Sequence, residues 1–95
     1  MSLDIVWSNR ARSRLAEIRD FIAQDKPGAA ERLAIRIATL VEALRQHPHL
    51  GRRGSISNTR ELIVGGTPYI IHYRVDGNHV IIQTVRHASQ RDHGS

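Results

Sequence analysis

Ninety-five residues are expected to form one folding unit, because a chain this short buries a single core and has no room for a second. The absence of cysteine excludes disulfides and thiolate metal sites; with no apolar run near the roughly 20 residues of a membrane helix, and no basic start or apolar stretch after Met1-Ser2-Leu3-Asp4, a cytoplasmic protein without a membrane anchor is expected. A net charge of +5 implies attraction to an anionic partner, either a nucleic acid or an acidic protein segment, without choosing between them.

Leu3-Asp4-Ile5-Val6-Trp7 reads as a short strand, with Leu3, Ile5 and Trp7 on one face by the two-residue period. Ser8 follows as a helix N-cap. From Asn9 to about Gln24, Ala11, Leu15, Ile18 and Ile22 fall at helical spacing, while Arg10, Arg12, Arg14 and Arg19 project elsewhere. That basic side is most simply a solvated face, although a partner's acidic segment could use it. Asp25-Lys26-Pro27-Gly28 closes this helix and opens the next; Pro27 suits a first turn, where its missing N–H would have no partner. The second helix is predicted from Pro27 to about His47, stopped by Pro48, with Ala30, Leu33, Ala34, Ile37, Leu40, Val41 and Leu44 as its buried stripe. His49 to Ser57 then form a basic, glycine-punctuated loop.

Two β-branched runs, Asn58 to Val64 and Tyr69 to Val75, flank Gly65-Gly66-Thr67-Pro68 and predict a hairpin. Asp76-Gly77-Asn78 leads into His79 to His87, which extends the hairpin into a three-stranded antiparallel meander. The expected class is α+β, in the order strand, helix, helix, strand, strand, strand, with the helical hairpin on one face of a mainly antiparallel sheet. Residues 1–87 are read as the domain and 88–95 as a flexible tail, because Ala88 to Ser95 show no apolar pattern.

Alternation places Tyr69, Ile71, Tyr73 and Val75 on one face of their strand and Ile70, His72 and Arg74 on the other; Thr84 and Arg86 share a face of the last strand, with Gln83 and His87 opposite. His72 and Arg74, polar in an apolar strand, mark their face as the open one, and Tyr69 and Tyr73 are assigned to the core. Arg60 and Glu61 are adjacent and must point opposite ways, as strand-end ion-pair partners or as contacts for a target. His72 and His87 could act as acid–base groups near neutral pH, but a lone strand histidine is more often a packed neutral side chain. The six histidines show no metal-ligand spacing, since His47 and His49 straddle Pro48 in a turn, so no metal and no cofactor are expected. Gly65-Gly66 lacks the lysine and strand-to-helix context of a phosphate loop and is read as a turn.

Trp7-Ser8, Ala29-Ala30, His47-Pro48-His49-Leu50-Gly51-Arg52, Thr59-Arg60-Glu61-Leu62, Gly66-Thr67-Pro68-Tyr69-Ile70-Ile71 and Tyr73-Arg74-Val75, in this order, resemble the RelE/ParE family of bacterial toxins over nearly the whole chain. The resemblance implies a toxin neutralised by a cognate antitoxin, which joins a DNA-binding part to a segment that wraps the toxin; operator DNA would be reached only through that antitoxin. It also implies a groove between the helical hairpin and the sheet, with Ala11, Leu15 and Ile18 as a partly covered stripe and Arg14 beside it as antitoxin contacts. RelE-like members cleave messenger RNA in the ribosome by attack of a ribose 2′-hydroxyl on the neighbouring phosphate, which needs a base, an acid and cations. Aligned on Tyr73 and Val75, Glu61 and Ile63 stand where RelE has strand lysines and Ile70 where it has an arginine, while Arg91 matches the remaining arginine only loosely.

A carboxylate and two aliphatics cannot place positive charge on a phosphate, so the resemblance points to the ParE-like branch, whose studied members poison DNA gyrase by binding it. Arg60, Glu61, Arg74, Arg86 and Arg91 are then the candidate target contacts. A ribosome-dependent ribonuclease using His72, Arg74, Arg86 and Arg91 is the enzymatic alternative, and an inactive member retained as an interaction module is the third.

Overall fold

The structure is a computed structural model and describes residues 2–90. Its elements are β1 (Asp4–Trp7), α1 (Asn9–Ala23), α2 (Pro27–Ala43), β2 (Arg52–Arg53), β3 (Thr59–Ile63), β4 (Tyr69–Asp76) and β5 (His79–His87). The strands form one five-stranded sheet in the order β1-β5-β4-β3-β2. β1 runs parallel to β5, and every other pair is antiparallel. The long connection needed for that parallel pair is supplied by the two helices and by β2, β3 and β4, which lie between β1 and β5 in the chain.

Two boundaries differ from the sequence reading. Arg52 and Arg53, expected in a loop, form an edge strand against Glu61 and Arg60; two residues are too few for any alternation to show. The second helix ends at Ala43 and not near His47, because Leu44, Arg45 and Gln46 donate to carbonyls three residues back, tightening the chain into turns before Pro48.

The helical hairpin covers one face of the sheet. Ala11 and Ile18 of α1, with Leu33, Ile37 and Val41 of α2, meet Leu62, Ile71, Tyr73, Val80, Ile82 and Val85 from the strands. The Tyr73 hydroxyl is buried there, donating to the Pro48 carbonyl (2.7 Å) and accepting from the Gly51 N–H (2.8 Å), which ties the loop before β2 to the core. Gly51 has no alternative: a Cβ there would lie 2.8 Å from the Tyr73 ring and 2.9 Å from the Glu61 carbonyl oxygen.

Register is set by a bulge. His72 opposes Thr84 but Tyr73 opposes Ile82, which leaves Gln83 as the extra residue of β5. Strict alternation would place Val80, Ile82, Thr84 and Arg86 on one face. The extra residue flips the phase, so Val80 and Ile82 face the helices, Val85 follows them into the core, and Thr84 and Arg86 turn to the opposite face. Ser8 holds this point from both sides. Its Oγ accepts from the Ala11 N–H (3.0 Å), capping α1, and donates to the Gln83 carbonyl (3.0 Å), while its own N–H donates to the Ile82 carbonyl. No helix among the described residues is long and apolar enough to cross a membrane.

Candidate functional site

The face away from the helices carries a polar row. Arg52, Glu61, His72 and Thr84 are direct neighbours across β2, β3, β4 and β5, and Arg86 lies one pair further along. Arg52 Nη2 meets Glu61 Oε1 at 3.2 Å. Arg86 Nε–H donates to His72 Nε2 at 2.7 Å, so that nitrogen bears its lone pair and the imidazole is the neutral Nδ1–H tautomer in this geometry. Arg86 Nη1 also donates to the carbonyls of Gln90 (2.7 Å) and His87 (3.3 Å). Thr59 and Glu61 of β3, His72 and Arg86, with Ser55 and Ile56 from the loop before β3, line a cavity of about 260 Å³.

His72 therefore corrects the expectation of an open face. It lies opposite the helices as alternation predicts, yet only 7% of it is exposed. A histidine alone on a flat sheet would be accessible; here the Arg86 guanidinium bonds to it from the next strand. Arg74 remains half-exposed and pairs with Asp76 at 3.2 Å. Arg60 sits on the opposite face, aligned with Tyr73, and its Nη1 donates to the Gly51 carbonyl (2.8 Å). The structure thus gathers Glu61, His72, Arg74 and Arg86 on one side and separates Arg60 from them. Arg91 lies outside the described residues.

On the helix side, the stripe proposed for a partner is already core. Ala11 is fully enclosed and Ile18 is 7% exposed, because the apolar residues of β5 and α2 cover them; Leu15 packs half-buried against the same cluster. What α1 leaves uncovered is Phe21, 72% exposed. It borders a groove of about 420 Å³ with Arg14, Glu17 and Ile18 on one wall and Tyr69 and His87 on the other. Tyr69 and His87 meet edge to face, with ring centroids 5.4 Å apart. Arg14 pairs with Glu17 at 3.0 Å. A second exposed apolar residue, Ile35 (63%), stands on α2 between Arg32 and Arg36. Both were missed because they lie off their helices' apolar stripes, and that position was itself the available signal: a large apolar side chain out of phase with the core face is left for something else.

Among the described residues no group of three or more histidine, aspartate or glutamate side chains could hold a metal ion. The ionisation of the Tyr73 hydroxyl is displaced. Burial raises its pKa above the ordinary 10.0, opposed by the Gly51 N–H it accepts and by the Arg60 charge.

A helical hairpin on one face of a five-stranded mixed sheet is the architecture of the small toxins of RelE/ParE type. The model of the ParE toxin of type II toxin–antitoxin systems, parDE, matches residues 5–92, and the chain belongs to that family. It is 48% identical to Y4kP of Sinorhizobium fredii over 87 residues, covering 92% of this chain and 90% of that protein. It is 41% identical to the toxin RelE2 of Caulobacter vibrioides over 86 residues, covering 90% of this chain and 96% of that one. Among solved structures, the chromosomal ParDE system from P. aeruginosa superposes with a TM-score of 0.82 at 22% identity, over 90% of this chain and 96% of that one. The RelBE2 toxin–antitoxin complex of Mycobacterium tuberculosis follows at a TM-score of 0.63 and 21% identity, over 92% and 99% of the two chains. These likenesses agree with the architecture expected from the sequence.

Proposed function

We propose that this type II toxin arrests growth by binding DNA gyrase, without chemistry of its own, and is neutralised by a cognate antitoxin seated in the α1 groove. The observation that carries the reading is the state of the sheet-face arginines. Arg52 is paired with Glu61, Arg74 with Asp76, and Arg86 with His72 and two carbonyls. With Glu61, Ile63 and Ile70 in the neighbouring positions, the arginines of this face are each engaged with a partner in the protein, whereas a phosphorane-like transition state needs positive charge held ready for it. For the antitoxin, support comes from an exposed aromatic beside an arginine in a basic chain, which suits an apolar anchor flanked by acidic residues.

One observation favours the ribonuclease as a second reading. Glu61 and His72 are direct cross-strand partners and share their cavity with Arg86, which brings together a base, an acid and a cation. The two readings separate in paired assays on one preparation: gyrase supercoiling and cleavage, and ribosome-dependent cleavage of messenger RNA. Accumulated cleaved DNA with intact message is the expected result. Cleaved message with normal supercoiling would replace the binding reading by the enzymatic one.

A further inference from the structure

Residues 88–90 connect the two faces. The Ala88 N–H donates to the Pro68 carbonyl at 2.7 Å, fixing the turn after β5 at the sheet end. Gln90 then borders both the α1 groove and the sheet-face cavity. Its side-chain Oε1 accepts from Arg14 Nη2 (2.8 Å) and from the His87 N–H (3.2 Å), while its main-chain carbonyl accepts from Arg86 Nη1 (2.7 Å). Arg86 in turn donates to His72. A continuous chain of hydrogen bonds therefore runs from the outside of α1 to the middle of the opposite sheet face: Arg14, Gln90, Arg86, His72.

We infer that this chain is a relay, through which an acidic segment bound in the α1 groove changes the sheet face without covering it. The inference rests on the reading of that groove as the antitoxin's seat. Its chemistry is a competition for Arg14. The Gln90 amide oxygen is a neutral acceptor, and a partner carboxylate binds a guanidinium more strongly through charge-assisted, often bidentate, bonds. Glu17 occupies Nη1, so Nη2, the arm that reaches Gln90, is the one a carboxylate in the groove captures. Once Arg14 turns away, the Gln90 side chain keeps only the longer bond from His87. The 88–90 turn loosens and Arg86 loses the shorter of its two carbonyl acceptors. The ordered row at Glu61, His72 and Arg86 is then disturbed from behind. Coupling of this kind is reciprocal, so a target that draws Arg86 outward also weakens the hold on Arg14.

The test uses the full chain and nuclear magnetic resonance of the Arg86 Nε–H and the His72 ring nitrogens. Arg14→Ala and Gln90→Ala each release the Gln90 side chain and loosen the 88–90 turn, and are expected to speed solvent exchange of the Arg86 Nε–H roughly tenfold, the factor that loss of the Gln90 main-chain carbonyl as an acceptor for Arg86 would carry, and to shift His72 Nε2. Arg10→Ala, which removes the same charge from the same helix away from Gln90, leaves both signals unchanged. Wild-type values in folded Arg14→Ala overturn the relay. In a second arm the cognate antitoxin is titrated into the wild-type toxin and Phe21→Ala. Weaker binding to Phe21→Ala, together with the same Arg86 change in the wild-type complex, supports the inference. Weaker binding with an unmoved Arg86 signal refutes the coupling alone, whereas undiminished binding to Phe21→Ala removes the groove reading and overturns the inference with it.

Discussion

Replacing Tyr73 by Phe removes one oxygen from the core and leaves the ring in place. That oxygen joins Pro48 and Gly51 to β4 through bonds of 2.7 and 2.8 Å. Two bonds at about 1 kcal/mol each, with a buried Gly51 N–H left without an acceptor, set the loss at about 3 kcal/mol. In a domain of this size that corresponds to a fall in Tm of about 12–24 °C. The same substitution has a pH signature. Because burial holds the folded pKa above 10.0, the unfolded chain releases this proton first, so the stabilisation is complete below 10.0 and is lost as pH rises through the folded value. Urea titrations of both proteins at neutral pH and across the alkaline range test this. Tyr73→Phe should lose stability at neutral pH with an unchanged m-value and should show a shallower alkaline decline. A loss below about 1 kcal/mol would mean that water replaces the hydroxyl and that the loop before β2 is not held by it.

Ser8→Ala removes an N-cap and the donor to the bulge carbonyl together, so it should cost about 1–2 kcal/mol by chemical denaturation; a cost under half of that would show that the bulge is held by backbone pairing alone. Gly51→Ala should cost about 1–3 kcal/mol through its clash with Tyr73 and Glu61. Gly66, at φ 77° with nothing within 4 Å, is limited by backbone conformation only; there Asn, which tolerates that region, should be milder than Ala, and equal losses would contradict this account. Phe21→Ala should leave Tm within about 2 °C, since the ring is 72% exposed, while weakening antitoxin binding by roughly 30-fold as an anchor residue does. Calorimetry and a binding titration on the same sample decide between an anchor and a bystander.

The elements legible in the sequence were those with a long periodic signal and a marked end. The meander carried β-branched runs separated by Gly65-Gly66-Thr67-Pro68 and Asp76-Gly77-Asn78, and the structure pairs those runs as β3, β4 and β5. Ser8 was readable as a cap because a serine preceded the first periodic residue of α1. Two-residue β2 left no periodic trace. The burial of His72 was hidden because it depends on Arg86, fourteen residues away on another strand. Gln90 was invisible for the same reason: its partners Arg14 and Arg86 become neighbours only when α1 and β5 pack together.

The bulge at Gln83 is where fold and candidate site become one problem. β5 must supply apolar residues to the core at Val80, Ile82 and Val85, yet an even spacing cannot join Ile82 to Val85. One inserted residue resolves the mismatch, and the same phase change sends Thr84 and Arg86 to the face that carries His72. The polar row therefore exists because the core is satisfied by a strand with broken alternation. Ser8 secures the break from the start of α1, and Arg14, about one and a half turns further along that helix, reaches the residues beyond β5. α1 thus fixes β5 at the bulge and touches Gln90 past the strand's end, so a partner that shifts α1 acts on both supports of the sheet face.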